Sequence, residues 1–130
     1  MATVLTEGVH DFGFILSEAS GQRSRENAYV KDGEGKLTAG TVLGVVTSGG
    51  TNEVGRYRSC DPTNNDGSQT AVAILCQNVD ASTDDAACVV IARDAEVNLN
   101  GLQWDANADL QSERNTMLVA LATKHIIARD

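Results

Sequence analysis

The run Ala87-Cys88-Val89-Val90-Ile91-Ala92 is one of the two most continuous apolar stretches of this chain. The other is Thr70-Ala71-Val72-Ala73-Ile74-Leu75-Cys76, and polar segments bound both runs. Strands that are apolar on both faces are typical of sheet positions that the rest of the protein covers on either side. The two runs therefore predict central strands, buried on both faces, around which the fold is organised.

Shorter strand patterns lie on either side of these two runs. The β-branched run Thr41–Thr47 predicts one strand, and Asn27–Val30 and Tyr57 predict two brief ones. Glu96-Val97-Asn98-Leu99 alternates between polar and apolar residues, which indicates an exposed edge strand. Asn100-Gly101 then predicts a tight turn that closes this strand.

The pattern changes after Trp104, where apolar residues recur at helical spacing. Between residues 110 and 121 these positions form a single stripe, which predicts a helix from about residue 107 to residue 124. Asp105 or Asp109 is positioned in the sequence to cap its start. Ile126-Ile127 supplies a last apolar element. The expected fold class is mainly β, with one C-terminal helix packed on the strands.

The first 26 residues differ from the rest and predict an N-terminal arm, followed by a single β-rich domain over residues 27–130. Phe12, Phe14 and Leu16 alternate in this segment, as side chains on one face of an extended strand do. The following residues are polar and have nothing apolar to hold them against a core. An apolar strand on a polar tether is typical of strand addition to another protein's sheet edge. An ordinary first strand of the home domain remains the alternative.

Composition limits the classes of partner. The formal net charge is −8, from 18 acidic and 10 basic residues. Nucleic acids and anionic membrane surfaces are both bound through basic patches, so neither is an expected partner. No stretch approaches the roughly 20 apolar residues of a membrane span. The N-terminus also lacks the basic and apolar regions of a secretory signal.

No combination of residues indicates catalysis or metal binding. His10 and His125, the two histidines, lie far apart and have no Cys or His neighbour at ligand spacing. Cys60, Cys76 and Cys88 contain no CxxC pair and predict reduced thiols in a cytoplasmic product. We therefore expect no enzyme activity, no cofactor and no metal.

The loop Asp61-Pro62-Thr63-Asn64-Asn65-Asp66-Gly67 has the composition of a calcium loop but not its spacing. With Gly67 at the sixth position of an EF-hand, Pro62 and Ala73 occupy positions that require acidic ligands. A turn rich in Asx residues explains the loop instead. Trp104, the sole tryptophan, suits either a lid on the core or an interface anchor. This loop and Trp104 leave open a small β-domain that binds a glycan or another ligand.

Several blocks of the chain form an ordered series. The series begins at Ser17-Glu18-Ala19-Ser20-Gly21-Gln22-Arg23-Ser24-Arg25-Glu26-Asn27 and continues through Leu37–Gly44, Gly55–Tyr57, Asp61-Pro62, Gly67–Leu75 and Val90–Asn98. Taken in this order, the blocks resemble the lambda-type head decoration proteins of tailed bacteriophages. No single block is specific, but together they cover most of residues 12 to 100.

The resemblance implies a structural protein with the compact fold often described as a β-tulip. It implies a homotrimer on the local three-fold positions of an expanded icosahedral head, where it clamps major capsid subunits against internal DNA pressure. The location implied is the outside of the virion, after assembly in the host cytoplasm. Residues Ser17–Glu26 would then be an adaptable connector. The capsid contacts expected in the arm are Phe12, Phe14, Ile15, Leu16, Ser17 and Glu18.

Overall fold

Strands make up most of the regular structure in the computed structural model, which describes residues 11–130. The strands are β1 (Ile15–Glu18), β2 (Arg25–Val30), β3 (Gly35–Leu37), β4 (Val42–Val45), β5 (Tyr57–Ser59), β6 (Ala73–Leu75), β7 (Val79–Ala81), β8 (Ala86–Ile91), β9 (Ala95–Asn98) and β10 (Ile126–Arg129). The helices are the single turn α1 (Gly21–Ser24) and the longer α2 (Gln111–Ala122). The predicted class, mainly β with one helix near the C-terminus, is confirmed. His10 lies outside the described residues.

Five strands close into a barrel in the order β2-β5-β4-β6-β8. Both runs predicted to be central lie in this barrel, and they pair with each other. Ile74 of β6 stands opposite Ile91 of β8, and Leu75 opposite Val90. On its other side, β8 pairs antiparallel with all six residues of β2. The two continuous apolar runs therefore form adjacent walls of one closed structure.

Side chains from the barrel strands alternate between two hydrophobic cores. Because successive side chains of a strand point to opposite faces, one set points into a closed barrel and the other points outward. The first core consists of Val30, Leu43, Ala73, Leu75, Ala81, Cys88 and Val90. The second includes Phe14, Val42, Ile74, Ile91, Val97, Met117, Leu121 and Ile126. This second core joins the barrel to α2 and to the remaining large sheet, so the barrel wall is covered on both sides.

The remaining large sheet has three strands in the order β1-β9-β10. β9 lies in the middle, antiparallel to β1 and parallel to β10. The prediction that residues 96–99 form an exposed edge strand was therefore wrong, although the alternation is real: Ala95 and Val97 are buried and Glu96 is partly exposed. Both neighbours of β9 are distant in sequence, so no local pattern identified them. Asn100-Gly101 lies in a 3-10 turn, Leu99–Gly101, that directly follows β9, so the predicted turn is confirmed.

α2 begins later than predicted and has a different cap. Its N-cap residue is Leu110, and the Glu113 carboxylate accepts a hydrogen bond from the Leu110 N–H at 3.3 Å. The Asp105 carboxylate accepts instead from the Asn107 N–H, so the prediction of an Asp105 or Asp109 cap was wrong. No helix among residues 11–130 is long and apolar enough to cross a membrane.

Candidate functional site

A turn at residues 11–14 attaches the N-terminal segment to the domain. Phe14 is 1% exposed and lies in the second core. Phe12 adopts a left-handed φ of 61°, and its N–H donates to the Cys76 carbonyl at 2.7 Å. Phe14 lies in the turn and is buried, whereas Leu16 lies in β1, at the irregularity between Ile15 and Ser17, and is exposed. The expectation that Phe12, Phe14 and Leu16 share one face was wrong.

β1 follows this turn and pairs antiparallel with β9 of the same chain. Ile15 stands opposite Val97 and Ser17 opposite Glu96, with an irregularity between the two pairs. Leu16 is 55% exposed. β1 is the outer strand of its sheet, so its second edge has no partner strand among residues 11–130. The segment therefore presents an exposed apolar side chain beside an open strand edge.

The polar residues after β1 are anchored by a network centred on Glu18. Arg25 donates to the Glu18 carboxylate from Nε at 3.1 Å and from Nη2 at 2.5 Å. Ser24, whose side chain is fully buried, donates from Oγ to the same carboxylate at 2.5 Å. Hydrogen bonding from Arg25 lowers the pKa of Glu18 and outweighs the opposing effect of burial. Polar contacts, rather than apolar ones, therefore connect the end of β1 to α1 and β2.

Sequence reasoning missed the role of Arg25 because its partners meet only after the chain reverses at α1. The Arg25 guanidinium carbon lies 4.3 Å from the centre of the Phe12 ring. One side chain thus contacts both the turn at residues 11–14 and the end of β1. The only local signal was the charge pair of Glu18 and Arg25 on either side of Gly21.

The Asp61–Gly67 loop uses its carboxylates in hydrogen bonds with nearby residues. Asp61 Oδ1 accepts from the Thr63 N–H at 2.8 Å and from Thr63 Oγ1 at 2.7 Å, which is the bonding of an Asx turn. Asp61 Oδ2 accepts from Asn107 Nδ2 at 2.9 Å. Among residues 11–130, no group of three or more His, Cys, Asp or Glu side chains is placed to hold a metal ion.

Arg58 connects this loop to the turn before β3. Its guanidinium donates to Asp66 at 2.8 Å and to Glu34 at 3.1 Å. Burial raises the pKa of Asp66, but hydrogen bonds from Ser68 and then Arg58 outweigh it and lower this pKa to about 2. The carboxylates of Asp61 and Asp66 therefore stabilise the conformation of the loop itself.

Trp104 is half-buried against the second core, with the Arg114 guanidinium 5.6 Å from its ring centre. It lines a groove of about 390 Å³ whose other residues come from 33–41, Ser59 and 103–106. The Asp61–Gly67 loop does not line this groove. The Asp61–Gly67 loop and Trp104, which the ligand-binding alternative combined in one site, therefore do not line the same groove.

All three cysteines are free thiols inside the protein. Burial raises the pKa of Cys60 and of Cys76 to about 12 and that of Cys88 to about 11. A thiol with such a pKa carries almost no thiolate near neutral pH, and the thiolate is the nucleophile. These side chains act as small apolar residues of the two cores.

Comparison with known proteins gives one family. The family model described as bacteriophage lambda head decoration protein D matches residues 4–126, which is most of the chain. The resemblance inferred from the ordered blocks is thereby confirmed. A search among curated proteins found no match.

Proposed function

The chain belongs to the family of bacteriophage lambda head decoration protein D, and from that premise we propose how it binds a capsid. Membership implies a phage capsid decoration role, which is structural. The proposal is that the protein attaches as a homotrimer to the outside of an expanded icosahedral head. There it holds neighbouring major capsid subunits together against the pressure of packaged DNA. The family match over residues 4–126 is the observation that carries this proposal.

We assign the capsid contact to the N-terminal segment and the strand that follows it. An open strand edge can pair through its backbone groups with a strand of another protein. On the β1 edge, Leu16 and Ser17 are exposed, and Leu16 offers apolar area to a partner. Phe12, Ile15 and Glu18 are half-buried and would contact the capsid at the margin. Phe14 supports the segment from within the core.

Trimer formation would multiply a weak contact. A trimer presents three N-terminal segments to the lattice, and after the first has bound, the others bind at high effective concentration. A single open strand edge with one exposed apolar side chain, Leu16, is a weak contact by itself. The net charge of −8 favours solubility of the subunit before assembly.

The test is co-sedimentation of the purified protein with expanded and unexpanded heads of its own virus, together with a light-scattering mass of the free protein. We expect attachment to expanded heads alone, in multiples of three subunits. Absence of attachment to both forms would refute the proposal.

A pair of substitutions tests the contact segment itself. Leu16→Asp should weaken attachment by at least about tenfold, because a charge at the centre of an apolar contact loses on the order of 1.4 kcal/mol or more. Val119→Asp is the control, since Val119 is equally apolar and 67% exposed but lies on α2. Deleting residues 1–16 is a poorer test because it removes Phe14 from the core. If Leu16→Asp and Val119→Asp weaken attachment equally, the assignment of the capsid contact to β1 is contradicted.

A further inference from the structure

We propose that Arg25 is a positioning residue, which fixes the point where the first ten residues join the domain and so strengthens attachment to the capsid. Arg25, Phe12 and Glu18 together are called the Arg25 clamp. The inference rests on the proposed function, because it concerns how the N-terminal segment is presented to the head. Arg25 itself need not touch the capsid for this role.

In the Arg25 clamp, one side chain contacts both the turn at residues 11–14, through Phe12, and the end of β1, through Glu18. The Arg25 guanidinium donates to both oxygens of Glu18, with Nε 3.1 Å from each. Its guanidinium carbon lies 4.3 Å from the centre of the Phe12 ring, a distance typical of a cation–π contact. A planar guanidinium suits both tasks, because its N–H groups match a carboxylate while its face lies on a ring. Lysine has no such plane, so the geometry requires arginine.

Glu18 is itself held in place for this contact. Ser24 is buried, and its Oγ donates to Glu18 Oε2 at 2.5 Å, because the chain turns through α1 between the two residues. The carboxylate therefore meets Arg25 with its position already set by a second donor. A pair with restricted side chains loses less entropy on forming than a free surface pair does.

The turn that the clamp holds has an uncommon backbone conformation. A φ of 61° is rare for a bulky residue such as Phe12 and persists where surrounding contacts impose it. Besides the contact of Arg25 with the Phe12 ring, three hydrogen bonds hold this turn. The Phe12 N–H donates to the Cys76 carbonyl at 2.7 Å, the Ile15 N–H donates to the Phe12 carbonyl at 3.2 Å, and Asp11 Oδ1 accepts from the Asn78 N–H at 3.3 Å.

The consequence is a defined starting point for the chain that precedes Asp11. A chain segment that leaves a domain at a fixed point and in a fixed direction has fewer orientations to lose when it binds, so its attachment is stronger. Without the Arg25 contact, the turn at residues 11–14 loses the side chain that covers the Phe12 ring. Capsid binding must then supply the free energy that fixes this turn. This is a role in presentation rather than in recognition.

Arg25→Gln, compared with Arg23→Gln, tests the proposal in binding to expanded heads. Arg23 lies two residues away, is 68% exposed and forms its ion pair with Asp94 at 3.5 Å, so it is a matched control. We expect Arg25→Gln to weaken attachment by about tenfold and Arg23→Gln by less than about twofold. Both substitutions are repeated in a chain that lacks residues 1–10. There the effect of Arg25→Gln should fall below about twofold, because the ten residues that the clamp positions are absent, whereas Leu16 and Ser17 on β1 remain.

Two results would overturn the positioning role. One is equal attachment of the Arg25→Gln and Arg23→Gln proteins. The other is an Arg25→Gln effect that is just as large without residues 1–10, which would indicate a direct contact or a general loss of structure.

A different result identifies failure of the proposed function. If the unmodified chain does not attach to expanded heads, the capsid role is refuted and the positioning role with it. Amide hydrogen exchange in the free protein still tests whether the Arg25 clamp stabilises the turn at residues 11–14. Exchange at Phe12 and Ile15 should be about tenfold faster in Arg25→Gln than in Arg23→Gln, and equal exchange would show that the clamp does not hold this turn.

Discussion

Ile74 and Leu75 are consecutive residues, yet their side chains lie in different hydrophobic cores. Both are fully buried. Leu75 packs inside the barrel with Val90, whereas Ile74 packs outside it in the core that contains α2 residues. β6 is therefore a wall between the two cores. A wall of this kind needs apolar residues at every position, which explains why the run Thr70–Cys76 shows no polar alternation.

Truncating either side of this wall should destabilise the whole protein. Ile74→Ala and Leu75→Ala should each lower the free energy of unfolding by about 2–5 kcal/mol, because both substitutions leave a cavity in a filled core. Urea denaturation measures the effect. Val119→Ala is the control, since this residue is 67% exposed and should change stability by less than about 0.5 kcal/mol. A small effect at either buried position would contradict the two-core arrangement.

The approach of β4 to the loop before β6 depends on a glycine. A Cβ at Gly44 would lie 2.1 Å from the Ser68 carbonyl oxygen, whereas one at Gly50 would meet nothing within 4 Å. Gly44→Ala should therefore cost about 1–3 kcal/mol of stability, because backbone must move to admit the methyl group. Gly50→Ala should be close to neutral. Thermal unfolding of the two proteins compares them directly, and equal melting temperatures would contradict this contact.

Asp66 should make stability depend on acid pH. Its pKa is about 2 in the folded protein against an ordinary 3.8, so folding favours the ionised form. The stabilisation is present above about pH 4 and is lost as the pH falls toward about 2. Asp66→Asn should thus destabilise on the order of 1 kcal/mol at pH 6, after allowance for solvent screening, and progressively less toward pH 2.

Urea midpoints between pH 2 and pH 6 test this pH dependence. Asp84→Asn is the control because Asp84 is exposed on the turn after β7. It should change stability little. A penalty for Asp66→Asn that stays constant across the range would show that the Arg58 and Ser68 contacts do not favour the carboxylate.

The buried thiols should react only after unfolding. Cys60, Cys76 and Cys88 are buried, and their raised pKa values leave almost no thiolate at pH 8. A disulfide reagent that releases a coloured thiol should therefore modify none of them quickly in the native protein and all three in denaturant. Rapid modification of one equivalent in the native protein would show that one of these side chains is accessible.

Much of the secondary structure could be predicted because its signals are local. β2, β4, β5 and β10 each overlap a strand or apolar element expected from composition and alternation. The cap of α2 was predicted wrongly because the Asp105 carboxylate accepts from the Asn107 N–H in its own turn instead of capping the helix. The capping contact comes from Glu113, which lies inside the helix.

The candidate site was predicted less well, since its geometry depends on a turn and on an irregular strand. Residues 11–14 form the turn, β1 begins only at Ile15, and its pairing with β9 is irregular between Ile15 and Ser17. A period of two residues, read from the sequence, assumes extended backbone throughout and cannot reveal this turn. The sequence therefore indicated a strand in this part of the chain, but not which of its side chains are exposed in the folded protein.

The sequence by itself determined the mainly β class, the two apolar runs at the centre of the fold and the family, because each depends only on the order of residues. The tertiary structure alone decided that β9 is central rather than an edge, that Phe14 is buried, and that Arg25 meets both Phe12 and Glu18. The physical reason is the same in all three cases. Each depends on where the folded chain brings together segments whose contacts no local pattern records.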